Sequence, residues 1–218
     1  MKKALMPFLF LLLILSFSNV SAQTNFALGA RAGLDIANLT FDPDVSGVTK
    51  SSRTGFKFGA VAELSFIPML AVQVEPMFVT GAGCKFSGAG GTDTYKLSYL
   101  EIPILLKLKV PIPNSDITPY AFAGPNLVFV MSTKEVLELN NTPSRETDLA
   151  DYTSSFSFAI DFGGGASFKV APLTSVMLDV RYSLGLSNLL NDKWEQTFGK
   201  QSVKLTGFQI VAGVMFGL

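Results

Sequence analysis

The sequence predicts an all-β fold, an eight-stranded antiparallel transmembrane β-barrel. Eight stretches alternate apolar and polar residues, the connections between them alternate long and short, and a segment typical of an export signal precedes them. An alternating strand has one apolar and one polar face. A closed sheet with its apolar face outward keeps every backbone hydrogen bond satisfied within a lipid bilayer, so these observations favour a membrane barrel.

The N-terminal segment has the features of a secretory signal peptide. Two lysines precede an apolar run over residues 4–17, and small residues lead up to Ala22. We therefore predict a signal peptide over residues 1–22 and a single barrel domain over residues 23–218. A retained membrane anchor is disfavoured because the run is shorter than the ~20 residues that a spanning helix requires.

The composition suits lipid-facing strands. Of the 218 residues, 48% are hydrophobic and 16% charged, and phenylalanine and glycine occur 19 times each. Lysine plus arginine and aspartate plus glutamate both number 17, so no basic field is available and we expect no nucleic-acid partner. The single cysteine, Cys84, excludes an internal disulfide.

Period-2 alternation defines the predicted strands. They span residues 26–37, 55–66, 70–80, 94–110, 118–131, 155–170, 175–187 and 204–218. The sixth has the most regular pattern and the fifth, with two prolines and a glycine, the least. Pro76 removes a ladder donor and predicts a bulge in the third strand. A change of phase near Tyr99 predicts another bulge at the rim.

The connections separate by length. Residues 67–69, 110–117 and 171–174 are short and contain proline, whereas residues 38–54, 81–93, 132–154 and 188–203 are longer and polar. Outer-membrane barrels have short periplasmic turns and long external loops, so this alternation predicts the outer membrane of a Gram-negative envelope. A soluble sandwich or lipocalin-like barrel, with its apolar residues inward, is the disfavoured alternative.

Charged residues within the strands fall almost entirely on the polar face, which we predict to line the lumen. Both signs occur, and buried charges require partners, so we expect a salt-bridge network in place of an apolar core. A proton or ion path is the less favoured interpretation because so narrow a barrel is filled by side chains. The predicted network comprises Arg31, Lys57, Glu63, Glu75, Glu101, Lys107, Asp161, Lys169, Asp179 and Arg181, with Asp35 and Lys109 on the same face.

The residues that common catalytic and metal sites require are missing. The chain contains no histidine, which excludes a Ser–His–Asp triad and histidine-based zinc sites. Asp161-Phe162-Gly163 lies within a strand and has no kinase context, and Gly163-Gly164-Gly165 opens no helix that would bind phosphate. Asp42-Pro43-Asp44 is better interpreted as a turn than as a calcium site. We expect no catalytic, cofactor-binding or metal-binding residues, and no cofactor.

Several ordered motifs resemble the outer-membrane β-barrel family that includes the PorT-like proteins. They are Tyr99-Leu100-Glu101-Ile102-Pro103, Pro119-Tyr120-Ala121-Phe122-Ala123-Gly124-Pro125, Phe162-Gly163-Gly164-Gly165, Asp179-Val180-Arg181-Tyr182-Ser183-Leu184-Gly185-Leu186 and Gly207-Phe208-Gln209. The resemblance implies an outer-membrane barrel and, for some members, a part in protein export, and it supplies no catalytic residues. The ending Phe216-Gly217-Leu218 departs from the terminal aromatic residue of many such barrels.

The sequence therefore predicts a non-enzymatic outer-membrane barrel with an envelope-structural or secretion-associated role. It would act through its external loops or its periplasmic rim, and a small-solute, porin-like channel is the alternative. The expected partners are outer-membrane lipid and other envelope or secretion proteins. Apolar loop residues offer a recognition surface, namely Phe41, Phe86, Leu137, Leu139, Trp194 and Phe198.

Overall fold

The computed structural model describes residues 25–42, 49–88, 90–139 and 144–218. The predicted signal peptide and residues 43–44 of the predicted turn lie outside the described residues. The strands are β1 (Asn25–Asp42), β2 (Thr49–Ile67), β3 (Leu70–Val74), β4 (Met77–Gly88), β5 (Gly91–Lys109), β6 (Ile117–Leu139), β7 (Arg145–Asp148), β8 (Phe156–Ala171), β9 (Thr174–Gly185) and β10 (Ser202–Gly217). A 3-10 turn (Ala150–Tyr152) and helix α1 (Asp192–Phe198) complete the described elements. No helix in this part of the chain is long and apolar enough to cross a membrane.

The strands close into an antiparallel ring with eight positions. β1 pairs with β2 on one side and with β10 on the other, so the first and last strands join the sheet into a barrel. β3 and β4 each pair with β2 and β5 and therefore share one position. Among the described strands, β7 pairs with β6 and extends the sheet outside the ring. The predicted eight-stranded antiparallel barrel is confirmed.

One end of the barrel differs from the sequence prediction. At the turn end, strands are joined by residues 68–69, 110–116 and 172–173. At the opposite end, the loop end, the strands continue well into the predicted loops: β2 begins at Thr49, β4 and β5 are separated by two residues, and β6 runs to Leu139. Continued pairing satisfies the backbone polar groups of these segments, so much of the predicted loop sequence is strand.

The bulge predicted at Pro76 is absent from the described sheet. Ala62 faces Val74 before the interruption and Gly59 faces Met77 after it, so both strands advance by the same number of residues. The carbonyl of Pro76 still accepts a hydrogen bond from the Ala60 amide at 3.1 Å. Proline therefore interrupts the strand by removing one donor, without inserting an extra residue.

Two bulges lie beside β5 at the level of Ser98. Gly81, with φ of 74°, is the extra residue of β4 between Thr80 and Ala82, and Met131 is the extra residue of β6. The alternation of β5 itself does not slip, because Leu97, Tyr99 and Glu101 are all buried inside the barrel. The sequence prediction placed the irregularity at the right level but on the wrong strand, since it interpreted the apolar residues near Tyr99 as a change of phase within β5.

The outward residues form an apolar band between the turn end and this level. In β1 the outward apolar residues run from Phe26 to Ile36, and in β2 from Phe56 to Phe66, which matches the 9–11 residues that a tilted strand needs to cross a bilayer. Phenylalanines project from the loop-end margin of the band, as in the aromatic girdles of membrane barrels. The most exposed of them are Phe56, Phe58 and Phe208.

Above the band the polarity of the sheet inverts. We call this part the loop-end extension; it comprises residues 37–42, 49–55, 80–99, 130–139, 144–155 and 187–206. Most outward positions there are polar, as at Thr40, Lys85 and Lys204. Inward positions are apolar and form one packed cluster, which includes Leu39, Ala82, Cys84, Phe86, Leu97 and Val203. The barrel therefore has a polar interior within the membrane and an apolar interior beyond it.

Candidate functional site

The central tier of the lumen consists of two arginines and two carboxylates with fully buried side chains. Arg31 contacts both Glu75 and Asp179. Arg181 Nη1 lies 2.8 Å from Glu75 Oε2, and Arg181 Nη2 lies 3.0 Å from Asp179 Oδ1. Each guanidinium thus bridges the same two carboxylates, and planar, forked donors are well suited to this geometry. These contacts tie β1, β9 and the short segment between β3 and β4 together across the lumen.

The upper tier, towards the loop end, sets one lysine among three buried carboxylates. The ammonium of Lys57 contacts Glu101 and the amide oxygen of Gln209. Asp161 accepts a hydrogen bond from Asn126 Nδ2 at 3.1 Å. Asp35 completes the tier and accepts hydrogen bonds from Tyr99 Oη at 2.8 Å and Gln209 Nε2 at 3.1 Å. The tier therefore carries more negative than positive charge and relies on neutral donors.

The lower tier, towards the turn end, has the opposite balance. Lys107 Nζ lies 2.8 Å from Glu63 Oε2, and Lys109 Nζ lies 2.9 Å from Glu63 Oε1. Lys107 also lies 3.8 Å from the centroid of the Tyr120 ring, where the ring quadrupole favours a cation. Lys109 is only half-buried, so this tier borders the open turn-end mouth.

Glycines on neighbouring strands make room for the long lumen side chains. Arg31 faces Gly59 on β2 and Gly213 on β10, and Arg181 faces Gly163 on β8. A Cβ atom at Gly163 would lie 2.9 Å from the Cβ of Arg181, closer than real contacts of this kind. The Gly163-Gly164-Gly165 segment is therefore explained by close approach between strands.

The structure brings nine of the ten predicted network residues into the buried lumen. Lys169 is the correction: it is exposed near the end of β8 and makes no ion pair with any described residue. Lys169 keeps the predicted alternation, because it pairs with Ser175 in the same register as Phe168 with Val176. It is exposed because it lies beside the turn, where the barrel wall ends. Sequence reasoning missed Asn126 and Tyr120, because prolines and a glycine obscured the alternation of β6.

An apolar cavity of about 310 Å³ opens inside the loop-end extension. Its walls include Leu39, Phe86 and Leu97 from the strands and Trp194 from α1. The 3-10 turn and α1, which we call the cover, pack together through Tyr152, with ring centroids of Tyr152 and Trp194 6.2 Å apart. A second cavity of about 400 Å³, between the cover and β7, shares Tyr152 and Trp194 with the first.

The cavity corrects the prediction for the loop aromatics. Phe86 is 8% exposed, and Phe41 stacks edge-on against it with ring centroids 5.3 Å apart, so both pack within the extension. Phe198 and Leu139 do lie on the surface. Alternation could have assigned Phe86 to the inner face, but the expected polarity of a membrane lumen argued against an apolar inner residue.

Three polar atoms at this cavity are buried without a hydrogen-bond partner among the described residues. They are Asp93 Oδ1, Thr133 Oγ1 and Trp194 Nε1. Burial and the neighbouring Glu135 carboxylate raise the pKa of Asp93 to about 6. Tyr95 Oη donates to Glu135 Oε1 at 2.9 Å, so the second carboxylate has its own donor. Within residues 25–42, 49–88, 90–139 and 144–218, no cluster of metal-ligating side chains occurs.

Comparison with known proteins identifies the family of this chain. The model of the outer membrane protein beta-barrel domain matches residues 21–191, which is more than half of the chain. The chain belongs to this outer-membrane β-barrel family. It therefore resides in the outer membrane, with the apolar band in contact with lipid. No protein of curated function matches the sequence.

Solved outer-membrane barrels have a similar fold. The outer membrane protein OprG from Pseudomonas aeruginosa is 15% identical, with a TM-score of 0.54, over 89% of this chain and 96% of that one. Neisserial surface protein A is 15% identical, with a TM-score of 0.48, over 88% and 96%. Ail of Yersinia pestis, solved with the heparin analogue sucrose octasulfate, is 14% identical, with a TM-score of 0.39, over 88% and 97%. The match to OprG supports the barrel fold, and at this identity it supports the fold alone.

Proposed function

We propose that this protein is a non-enzymatic, non-conducting outer-membrane barrel that acts at the cell surface through its loop-end extension. The observation that carries the proposal is the division of the interior. Charged side chains that are 0–6% exposed, held by ion pairs or by hydrogen bonds from neutral donors, fill the membrane-spanning lumen, whereas the apolar core and cavity lie beyond the membrane. The membrane part then anchors and holds the extension, which presents the surface available to partners.

The chemistry of the chain supports a role other than catalysis. The chain contains no histidine. The central carboxylates, Glu75 and Asp179, are engaged by two arginines and are not exposed to a substrate cavity. A general acid or base must reach its substrate within hydrogen-bond distance, and these groups face each other instead.

Recording from the purified protein in planar lipid bilayers tests the non-conducting lumen. We expect no steady open-channel current, because an eight-stranded barrel has room for its side chains alone and here they are paired. A Glu75→Gln variant serves as a comparison, since it loosens the central tier without shortening any side chain. Steady currents from the wild-type protein would contradict the proposal.

A small-solute channel is the second candidate, and one observation favours it. A cavity of about 450 Å³ lies at the turn-end mouth, and the loop-end cavity lies at the other end, so the charged tiers alone separate them. If those tiers rearrange, the two cavities could connect. This candidate would be supported by currents that are larger in Glu75→Gln than in the wild-type protein and that decrease as the permeating ion becomes larger.

Within the leading proposal, we infer an association with envelope or protein-secretion components. The resemblance to PorT-like proteins and the folded extension at the loop end support this inference. Crosslinking in intact cells followed by purification of the barrel, together with a secretion assay on a deletion strain, tests it. Specific envelope partners and reduced secretion are the expected results. Unchanged secretion with no co-purifying envelope protein would leave a purely structural role in the outer membrane.

A further inference from the structure

The loop-end cavity has the size and lining of a small-molecule site. Its volume of about 310 Å³ lies at the lower end of the range for small-molecule pockets. Leu39, Leu97, Leu189 and Val203 contribute to its walls and belong to the buried apolar cluster of the extension. The body of a ligand in this cavity would therefore be apolar.

The unpartnered polar atoms define the polar part of that ligand. Among the described residues, Trp194 Nε1 is a donor without an acceptor, Asp93 Oδ1 is an acceptor without a donor, and Thr133 Oγ1, also without a partner, serves as either. All three residues line the same cavity. Buried polar atoms in native proteins normally have partners, so a ligand group that both donates and accepts would complete this set. A hydroxyl group has this property.

The negative charge at the cavity excludes an anionic ligand. Asp93 is the one charged residue among the described residues that line the cavity, and Glu135 lies beside it. A carboxylate on the ligand would be repelled by these groups and could not donate to Asp93. An ammonium group could donate to Asp93 but could not accept from Trp194. An uncharged alcohol satisfies both partners.

We propose that the loop-end cavity binds a small, predominantly apolar alcohol, with its hydroxyl group between Asp93, Thr133 and Trp194. The second cavity, which shares Tyr95, Leu149, Tyr152 and Trp194 with the first, provides the route of entry between the cover and β7. This inference rests on the proposed function only for the location of the cavity at the cell surface.

Trp194 provides a direct measurement because it is the only tryptophan of the chain. Bromine quenches indole fluorescence on contact, so 2-bromooctan-1-ol, which carries its bromine next to the hydroxyl group, can be titrated against the full-length barrel in lipid nanodiscs. We expect saturable quenching by the alcohol and much weaker quenching by 2-bromooctanoate at neutral pH. Equal quenching by the alcohol and the carboxylate, or quenching without saturation, would overturn the proposal.

Two matched variants separate the cavity from the lipid as the source of quenching. Val203→Phe fills the cavity, whereas Val180→Phe makes the same change on the lipid-facing surface of β9. We expect Val203→Phe alone to lose saturable quenching. Similar quenching in both variants would overturn the proposal. If Val203→Phe does not give the faster gel mobility of a folded, unboiled barrel, Leu149→Phe replaces it as the cavity-filling variant.

The polar contacts have their own test. Thr133→Val keeps the shape of the side chain and removes its hydroxyl, and we expect affinity for 2-bromooctan-1-ol to fall roughly 5-fold, the usual effect of losing one neutral hydrogen bond. Unchanged affinity would overturn the assignment of the hydroxyl position. Bilayer recordings address the lumen and these titrations address the cavity, so failure of this proposal and failure of the proposed function are distinguishable.

Discussion

At the scale of single residues, charge balance differs from tier to tier along the lumen. The central tier sets two arginines against two carboxylates, and the upper tier sets one lysine against three. Removing one member of a balanced buried set leaves an uncompensated charge, whereas removing a surplus carboxylate does not. The loss of stability caused by a substitution should therefore depend more on the tier in which the residue lies than on the residue type.

Glu75→Gln tests the balanced tier. We expect it to lower the free energy of unfolding by about 3–5 kcal/mol, because Arg31 and Arg181 then share only Asp179. Urea unfolding in lipid vesicles, followed by the loss of the fast-migrating folded band on gels, measures the change. Asp161→Asn in the upper tier is the matched control and should have a clearly smaller effect of either sign. Equal losses in both variants would refute the tier argument.

The raised pKa of Asp93, a carboxylate in the loop-end extension, predicts that its effect on stability depends on pH. Its pKa of about 6 lies above the ordinary value of 3.8, so the folded protein binds this proton more tightly than the unfolded chain does. The stabilising contribution is complete below about pH 4 and is lost as the pH rises through about 6. Asp93→Asn should therefore raise the temperature of heat-induced loss of the folded gel band at about pH 8 and leave it unchanged at about pH 4.

The control for this prediction is the same substitution at an exposed carboxylate. Asp116 lies in a turn-end connection and is exposed to solvent. Asp116→Asn should leave the transition temperature unchanged at both pH values. A stabilisation by Asp93→Asn that is the same at both pH values would show that titration of this carboxyl is not its cause.

At the scale of elements, the cover depends on one asparagine. Asn191 Oδ1 accepts hydrogen bonds from the amides of Lys193 and Trp194 at 3.1 and 3.2 Å and so caps α1. Its Nδ2 donates to the carbonyl of Asp151 at 2.9 Å, which joins the helix to the 3-10 turn. One side chain thus holds both halves of the cover.

Asn191→Ala should loosen the cover without unfolding the barrel. A lost N-cap costs about 1 kcal/mol, and here the link to the 3-10 turn is lost as well. We expect a red-shifted Trp194 emission and faster proteolysis within residues 187–201, with unchanged gel mobility of the folded barrel. Asn188→Ala, on the same connection but outside the helix cap, is the comparison. An unshifted emission in Asn191→Ala would contradict this role.

The sequence predicted the membrane-spanning elements well because the bilayer imposes a single rule on them. Lipid-facing positions must be apolar, so alternation identified the strands and placed Arg31, Glu75 and Arg181 on one face. Above the band that rule no longer applies. Polar residues such as Thr40 and Lys85 occur there, and they are as typical of a loop as of the outward face of a strand. The sequence alone could not distinguish a loop from a strand in this region. The cavity was unpredictable for the same reason, since its walls come from four separate predicted loops and the beginning of one predicted strand.

At the scale of the whole molecule, the inverted polarity fixes where the protein leaves the membrane. Charged and polar side chains change from the inner to the outer face at the level of the Gly81 and Met131 bulges. In β1 the alternation continues without a shift, and the inward residues simply change from Arg31 and Asp35 to Ala37 and Leu39. In β4 and β6 a bulge at the same level shifts the alternation by one residue without ending the strand.

Cysteine labelling in intact cells tests this arrangement. Cys84 is buried, and Cys84→Ser gives a background without thiols. In that background, Ser51→Cys on the outer face of the extension should react with a membrane-impermeant maleimide in whole cells. Leu178→Cys in the apolar band should not react with it, because lipid covers that position. Ser115→Cys at the turn end should react only after the outer membrane is permeabilised, since short turns of outer-membrane barrels face the periplasm. Labelling of Ser115→Cys in intact cells would show that the barrel has the opposite orientation in the membrane. Labelling of Leu178→Cys would show that the apolar band does not mark the part of the barrel covered by lipid.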